Sequence, residues 1–187
     1  MATIRAFIAL PIPSAIQKEI GEIQDSLKDS GADVKWDTRD KFHITLKFLG
    51  DIDAAKVDPV ALALRKSIGG IAPFDLAFQA LGAFPNANRP RVIWIGGEET
   101  EHVQGIQRLV EHVCESFGFA KDDRSFHTHV TLGRVKSDRV TDRLTAKLKS
   151  ITFKPLIARC TELHIVRSEL KPAGSVYTLL KSIPLAS

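Results

Sequence analysis

Residues 3–10 alternate and are rich in β-forming side chains, and the Pro11-Ile12-Pro13-Ser14 that follows ends this strand and opens a helix. In that helix Ile16, Ile20, Ile23 and Leu27 recur at helical spacing, up to a turn at Ser30-Gly31. Residues 42–49 read as a second strand, stopped at Gly50-Asp51, and Asp53 is placed to cap a helix carrying Val57, Val60, Leu62 and Leu64 to about Ile68. Two further strands, 74–84 and 91–95, flank a polar stretch that reads as a loop rather than a tight hairpin. A long helix over 99–117 is marked by Val103, Ile106, Leu109, Val110, Val113 and Phe117, with Glu98, Glu99 and Glu101 at its positive end. The rest predicts a strand over 127–135, a polar helical stretch over 138–149, and strands near 152–158, 161–168 and 175–182.

Strands and helices mix without regular βαβ alternation, which predicts an α+β fold with antiparallel sheets rather than a doubly wound parallel one. No low-complexity linker divides the chain, so residues 1–187 are expected to form a single domain. Within it there is an echo: His43-Ile44-Thr45-Leu46 recurs 86 residues later as His129-Val130-Thr131-Leu132. Each copy lies in a predicted strand, which suggests two interleaved lobes facing each other, each contributing one His-x-Thr motif.

Composition narrows the classes. Hydrophobic residues at 44% and charged residues at 26% are globular proportions and exclude a disordered or fibrous chain. The net charge of +4 suits a polyanionic partner without requiring one. The apolar run 6–10 is broken by Pro11 and is too short for a signal peptide or a membrane span, so an unexported, cytoplasmic protein with no membrane role is expected. Cys114 lies among Val110, Val113 and Phe117 and reads as core. Cys160 opens a predicted strand, and neither thiol is assigned any chemistry.

About one third of a His-x-Thr triplet is expected by chance in a chain with six histidines, so two are only mildly unusual as a bare pattern. Strand context adds more. Alternation puts Phe42, Ile44, Leu46 and Phe48 on one apolar face and His43, Thr45 and Lys47 on the other. In the second segment Thr128, Val130 and Leu132 oppose His127, His129 and Thr131. If the polar faces meet across a cleft, two imidazoles with reference pKa about 6.5 supply one neutral base and one cationic acid, the equipment for in-line phosphoryl transfer to water. Each Thr hydroxyl can hold a phosphate oxygen or its neighbouring His. The plainer alternative, half-exposed strand histidines beside β-forming threonines, accounts for one motif better than for a matched pair.

Arg5-Ala6-Phe7-Ile8-Ala9-Leu10, the segment from Phe42-His43 to Leu49-Gly50, Arg89-Pro90-Arg91-Val92-Ile93-Trp94-Ile95-Gly96, and His129-Val130-Thr131-Leu132-Gly133-Arg134 resemble the two-histidine phosphoesterase superfamily. Within it they are most similar to the RNA 2′,3′-cyclic phosphodiesterases, historically called 2′-5′ RNA ligases. Ser168-Glu169-Leu170-Lys171-Pro172 through Gly174 and Tyr177 extend the likeness over essentially the whole chain.

The resemblance implies a bilobal, pseudo-twofold α+β fold of two antiparallel sheets facing a central cleft, with helices outside and with neither metal nor cofactor. It implies opening of RNA 2′,3′-cyclic phosphate termini to 2′-phosphomonoesters, with reversible 2′-5′ ligation beside it. Suitable partners are RNA ends, tRNA fragments or cyclic nucleotides among them, and no obligate protein partner is evident. Carried over, His43 is the acid that protonates O3′ and His129 the base that activates water, roles that can be exchanged. Thr45, Thr131 and Arg134 would hold the phosphate. Thr128 departs from the Pro that many members carry before the second His, and strict alternation puts Arg134 opposite His129, so its role needs a bulge or strand end near Gly133.

Arg91 is a further candidate phosphate or RNA contact, and equally a residue flanking the sheet. Lys41, Lys47, Lys136, Arg139, Arg143 and Lys147 could extend a phosphate track, although a solvated face is the usual place for such charges. Trp36 and Phe48 are candidate base-stacking platforms, but Phe48 falls on the apolar parity and reads as core. Two rivals follow from the same residues: a zinc phosphohydrolase using His43, His127 and His129, which lacks an acidic or Cys ligand at a recognised spacing, and a non-catalytic module that binds RNA ends.

Overall fold

The computed structural model describes residues 2–139, 141–172 and 174–186. Among these, nine strands form one curled antiparallel sheet, and four helices cover one of its faces. The strands are β1 (Thr3–Pro11), β2 (Val34–Trp36), β3 (His43–Asp53), β4 (Phe74–Asn86), β5 (Arg89–Gly97), β6 (His129–Val135), β7 (Leu156–Cys160), β8 (Glu162–Lys171) and β9 (Gly174–Pro184). The helices are α1 (Ser14–Lys28), α2 (Val57–Ile68), α3 (Glu101–Ser116) and α4 (Thr141–Ser150).

The strand order is β7-β4-β5-β6-β3-β1-β8-β9. The two antiparallel sheets expected are halves of this one sheet, joined between β3 and β6 by a single pair, Ile44 opposite Val130. Where β3 leaves β6, β2 takes its place, with Val34, Lys35 and Trp36 opposite Val135, Arg134 and Gly133. The connections cross over: β4 pairs with β5 and β7, and β8 returns to pair with β1.

The core lies between sheet and helices. Ala6, Ile8 and Leu10 of β1, Ile44 and Leu46 of β3, and Ile93 and Ile95 of β5 meet Ile20 and Leu27 of α1, Val60 and Leu64 of α2, and Val103, Ile106 and Val110 of α3. Each of the Val, Leu and Ile side chains contributes roughly 1.5–3 kcal/mol by leaving water. The helix starts follow local chemistry. Asp53 Oδ1 accepts the N–H of Ala55 (3.0 Å) ahead of α2, and Thr100 Oγ1 accepts that of Val103 (3.4 Å) at the start of α3.

Several elements differ from the sequence reading. β4 and β5 form a tight hairpin turning at Ala87-Asn88, because Asn86 Oδ1 accepts the N–H groups of Asn88 (3.0 Å) and Arg89 (3.1 Å) and closes the turn with its side chain. β7 begins after Pro155, which has no N–H for a ladder, so Thr152 and Phe153 stay outside the sheet and Cys160 closes a strand instead of opening one. β2 is too short to show a period and exists through its pairing with β6. Val140, inside the expected 138–149 stretch, lies outside the described residues.

Candidate active site

β3 and β6 run side by side at the centre of the sheet and carry His43 and His129 next to the one bridge between them. Both rings are anchored alike. His43 Nδ1 lies 2.6 Å from the Lys41 carbonyl oxygen, and His129 Nδ1 lies 2.7 Å from that of His127. A carbonyl can only accept, so each Nδ1 carries the hydrogen and each Nε2 keeps its lone pair. The Nε2 of His43 is 3.0 Å from Thr45 Oγ1 on the same face of the strand.

The surroundings differ. Phe7 stacks on the His43 ring at 4.7 Å and Tyr177 meets its edge at 5.5 Å. Burial pushes the His43 imidazole down to about 4, with the Lys41 carbonyl opposing and His129 adding to the shift. Beside His43 opens a cavity of about 390 Å³ whose lining includes Phe7, Lys41, His164, Val166 and Tyr177. His129 meets Phe84 edge-on at 5.1 Å, and Phe84 in turn packs on Trp94. The Trp94 indole covers Gly82, where a Cβ would come within 2.2 Å of the ring. Burial also lowers the His129 pKa, helped by the charges of His127 and Arg134 and opposed by the His127 carbonyl and by Glu99.

Each motif is followed by a break in the pleat. Ile8 faces Lys47 and Ala9 faces Thr45, so Leu46 is the extra residue of a bulge. Ile93 faces Gly133 and Trp94 faces Thr131, so Leu132 is its counterpart. The Leu132 carbonyl, at the bulge, accepts from Gln24 Nε2 of α1 (2.9 Å) and from the N–H of Asp37 (2.9 Å). The second bulge returns Arg134 to the face of His129 and Thr131, as its suggested role requires.

The first bulge overturns two expectations. Lys47 does not face the cleft with His43 and Thr45: it is 2% exposed, its ammonium 2.6 Å from Glu111 Oε1 and from the Ala120 carbonyl and 3.4 Å from Asp122 Oδ2. Burial disfavours that ammonium, but its hydrogen bond to Glu111 and the charges of Asp122 and Glu111 outweigh the cost and hold its pKa above the ordinary value. Phe48 is not core. It is 59% exposed on the cleft side, opposite Phe7 with ring centroids 6.1 Å apart.

The other candidates separate. Lys41 lines the cavity beside His43. Arg91 is the extra residue of a bulge, since Phe84 faces Val92 and Pro85 faces Pro90, and its exposed guanidinium pairs with Asp138 (2.8 Å). Lys147 faces Asp29 (3.8 Å), and Trp36 packs against the core beside Gly133. Both thiols are buried and pushed up to about 12 by desolvation. Among the described residues no group of three or more His, Cys, Asp or Glu is disposed to hold a metal ion. Phe7, Phe84 and Glu99 went unnoticed as parts of the site; strand parity could have pointed to Phe7, while no local signal marks the other two.

A curled antiparallel sheet presenting two His-x-Thr strands to one face defines a two-histidine phosphoesterase. The chain belongs to the LigT-like phosphoesterase family, whose model matches residues 10–94 and again 95–177, one histidine motif in each match. It is 34% identical over 178 residues to an RNA 2′,3′-cyclic phosphodiesterase of Methanothermobacter thermautotrophicus, covering 94% of this chain and 95% of the relative. A second RNA 2′,3′-cyclic phosphodiesterase, from Methanocaldococcus jannaschii, is 34% identical over 182 residues, 95% of this chain and 99% of that one. Among solved structures, a Thermus thermophilus protein superposes with a TM-score of 0.80 at 27% identity, covering 97% of this chain and 98% of its own. Escherichia coli LigT crystallised with 3′-AMP gives 0.78 at 22% identity over the whole of both chains, a likeness of fold.

Proposed function

We propose that this protein is an RNA 2′,3′-cyclic phosphodiesterase that opens the terminal cyclic phosphate to a 2′-phosphomonoester by two-histidine acid/base catalysis. The observation that carries this is the matched anchoring of His43 and His129, each with Nδ1–H on the carbonyl two residues earlier and a lone pair left on Nε2, which at His43 meets Thr45 Oγ1 at 3.0 Å. Water attacks phosphorus and gives its proton to Nε2 of His129. The P–O3′ bond breaks, and His43 delivers a proton to O3′, leaving a 3′-hydroxyl and a 2′-phosphate. Burial keeps His43 neutral in the empty site, so it takes up from solvent the proton it later donates, when the anionic phosphate binds beside it and its charge favours the imidazolium. Thr45 and Thr131 hold the non-bridging oxygens, and Arg134 stabilises the charge that develops there.

In the same reading the chain is one domain of two interleaved halves, acting in the cytoplasm on RNA ends such as those of tRNA fragments. No helix among the described residues is long and apolar enough to cross a membrane. The deciding experiment incubates the protein with an RNA ending in a 2′,3′-cyclic phosphate, in EDTA, and identifies the monoester. A 2′-phosphate is expected; a 3′-phosphate, no turnover, or activity lost with EDTA overturns the mechanism, and binding without turnover supports the module that only holds RNA ends.

A further inference from the structure

We propose that Glu99 is a positioning residue for His129, acting through the single peptide that joins His127 to Thr128. This rests on the reading of His129 as the base. Both polar ends of that peptide are engaged: its carbonyl accepts Nδ1–H of His129 at 2.7 Å, and its N–H donates to Glu99 Oε1 at 2.8 Å. The other carboxylate oxygen, Oε2, accepts the Thr128 hydroxyl at 3.1 Å and the side-chain amide of Gln104. Thr128 is 2% exposed, and its own carbonyl accepts the N–H of Gly97 at 2.8 Å. Carboxylate, amide and imidazole therefore form one chain of hydrogen bonds.

The first motif supplies the comparison. His43 is anchored by the same geometry on the Lys41 carbonyl, but the N–H of that peptide, belonging to Phe42, donates to the neutral Arg39 carbonyl at 3.1 Å. Phe42 itself is fixed by its side chain in the core, whereas at Thr128 the carboxylate does the holding. Hydrogen bonds in a chain polarise one another. A carboxylate drawing on the N–H makes the attached carbonyl a stronger acceptor for Nδ1–H, which fixes the tautomer that exposes Nε2 and stabilises the imidazolium formed when Nε2 takes the proton of water. The charged groups facing His129 are His127, Arg134, Glu99 and, across the cleft, His43; of these only Glu99 favours its cationic form. The proton taken from water remains on the imidazole.

The test compares the wild-type protein, Glu99→Gln, and Glu98→Gln as a control that removes the adjacent charge. Ring-nitrogen NMR without substrate follows the tautomer and titration of His43 and His129, and kcat and KM are measured on an RNA ending in a 2′,3′-cyclic phosphate. In the wild type, neutral His129 is expected as the Nδ1–H tautomer. Glu99→Gln should lower the His129 pKa while leaving His43 in place, and reduce kcat about 10-fold with KM within about two-fold, the scale typical of groups that orient a functional side chain. Glu98→Gln should change none of these. An Nε2–H tautomer in the wild type overturns the proposal without any variant. So does a folded Glu99→Gln protein with unchanged His129 titration, or one in which both histidines move together. A wild type that fails to turn over the cyclic phosphate would remove the functional reading and leave the imidazole measurements to stand separately.

Discussion

Phe48 and Arg134 occupy equivalent places in the two halves of the sheet. Each is the fifth residue after a motif histidine, and each is turned onto the cleft face by a bulge at the leucine two residues before it. One half thus presents an exposed aromatic ring where the other presents a guanidinium. A cleft built from two similar strands acquires two unlike walls, one apolar beside His43 and one cationic beside His129.

Arg134→Ala is expected to lower kcat/KM on a cyclic-phosphate substrate by about 10- to 100-fold, the range for losing a hydrogen bond to a charged group. Arg134→Lys should recover only part, since an ammonium cannot present two parallel donors. Gly133→Ala should reproduce much of the loss without touching Arg134. Its Cβ would lie 2.8 Å from Val34 Cγ1 and 3.0 Å from the Lys35 carbonyl oxygen, so the pairing of β2 and β6 that supports the bulge must give way. Wild-type kinetics in Arg134→Ala would remove the arginine from the site.

Lys47→Ala is expected to destabilise the fold by about 3–5 kcal/mol, because it leaves the buried Glu111 carboxylate without its partner. Phe48→Ala should cost about 1 kcal/mol or less, since that ring is largely in water. Urea unfolding of the two variants orders them; the opposite order, which simple alternation predicts, would contradict the bulge at Leu46.

His43→Ala and His129→Ala should each lower turnover by about 10² to 10⁴ while remaining folded. His127→Ala should be mild, within a few-fold, because the backbone carbonyl that anchors Nδ1 of His129 is kept and only the charge interaction between the two imidazoles is lost. A severe His127→Ala defect in a folded protein would revive a metal site built on three histidines.

The pH dependence is expected to lie lower than unperturbed imidazoles would put it. Burial lowers both histidines, His43 to about 4, so the singly protonated pair is most populated below pH 6.5 in the free enzyme. The bell in kcat/KM should therefore peak below 6.5 and fall on the alkaline side as the remaining proton is lost. The bell in kcat, which reports the complex with the anionic phosphate, should lie at higher pH. Coincident bells centred at or above pH 7 would contradict this. Stability follows the same shift. A histidine at about 4 in the folded protein and about 6.5 unfolded contributes stabilisation that is complete above 6.5 and lost as the pH falls to 4, on the order of 3 kcal/mol. Denaturant midpoints measured from pH 7 to pH 4 should show that loss, and His43→Gln should flatten it.

Much was legible in the chain alone. Three amphipathic helices and most strands appear as periodicity, because burial of one face imposes a repeat that the side chains must obey, while the fourth helix shows only as a polar stretch. The His-x-Thr echo was readable for the same reason, since residues two apart on a strand share a face whatever the strand packs against. The need for a bulge or strand end near Gly133 also followed, as a contradiction between alternation and the role that the family resemblance gives Arg134.

What only the tertiary structure decided is where alternation stops. A bulge at Leu132 depends on Gln24 and Asp37 receiving the carbonyl there, and these residues belong to α1 and to the segment after β2, far along the chain. The bulge at Leu46 likewise exchanges Lys47 and Phe48 between faces, and it is tolerated because Glu111 and Asp122 wait behind the strand for the ammonium. The carboxylate of Glu99 at the Thr128 amide, the stacking of Phe7 on His43 and the pairing of Arg91 with Asp138 are of the same kind. Local patterns record which side of a strand is wet; which partner meets a given backbone or charged group is settled only when distant segments pack together.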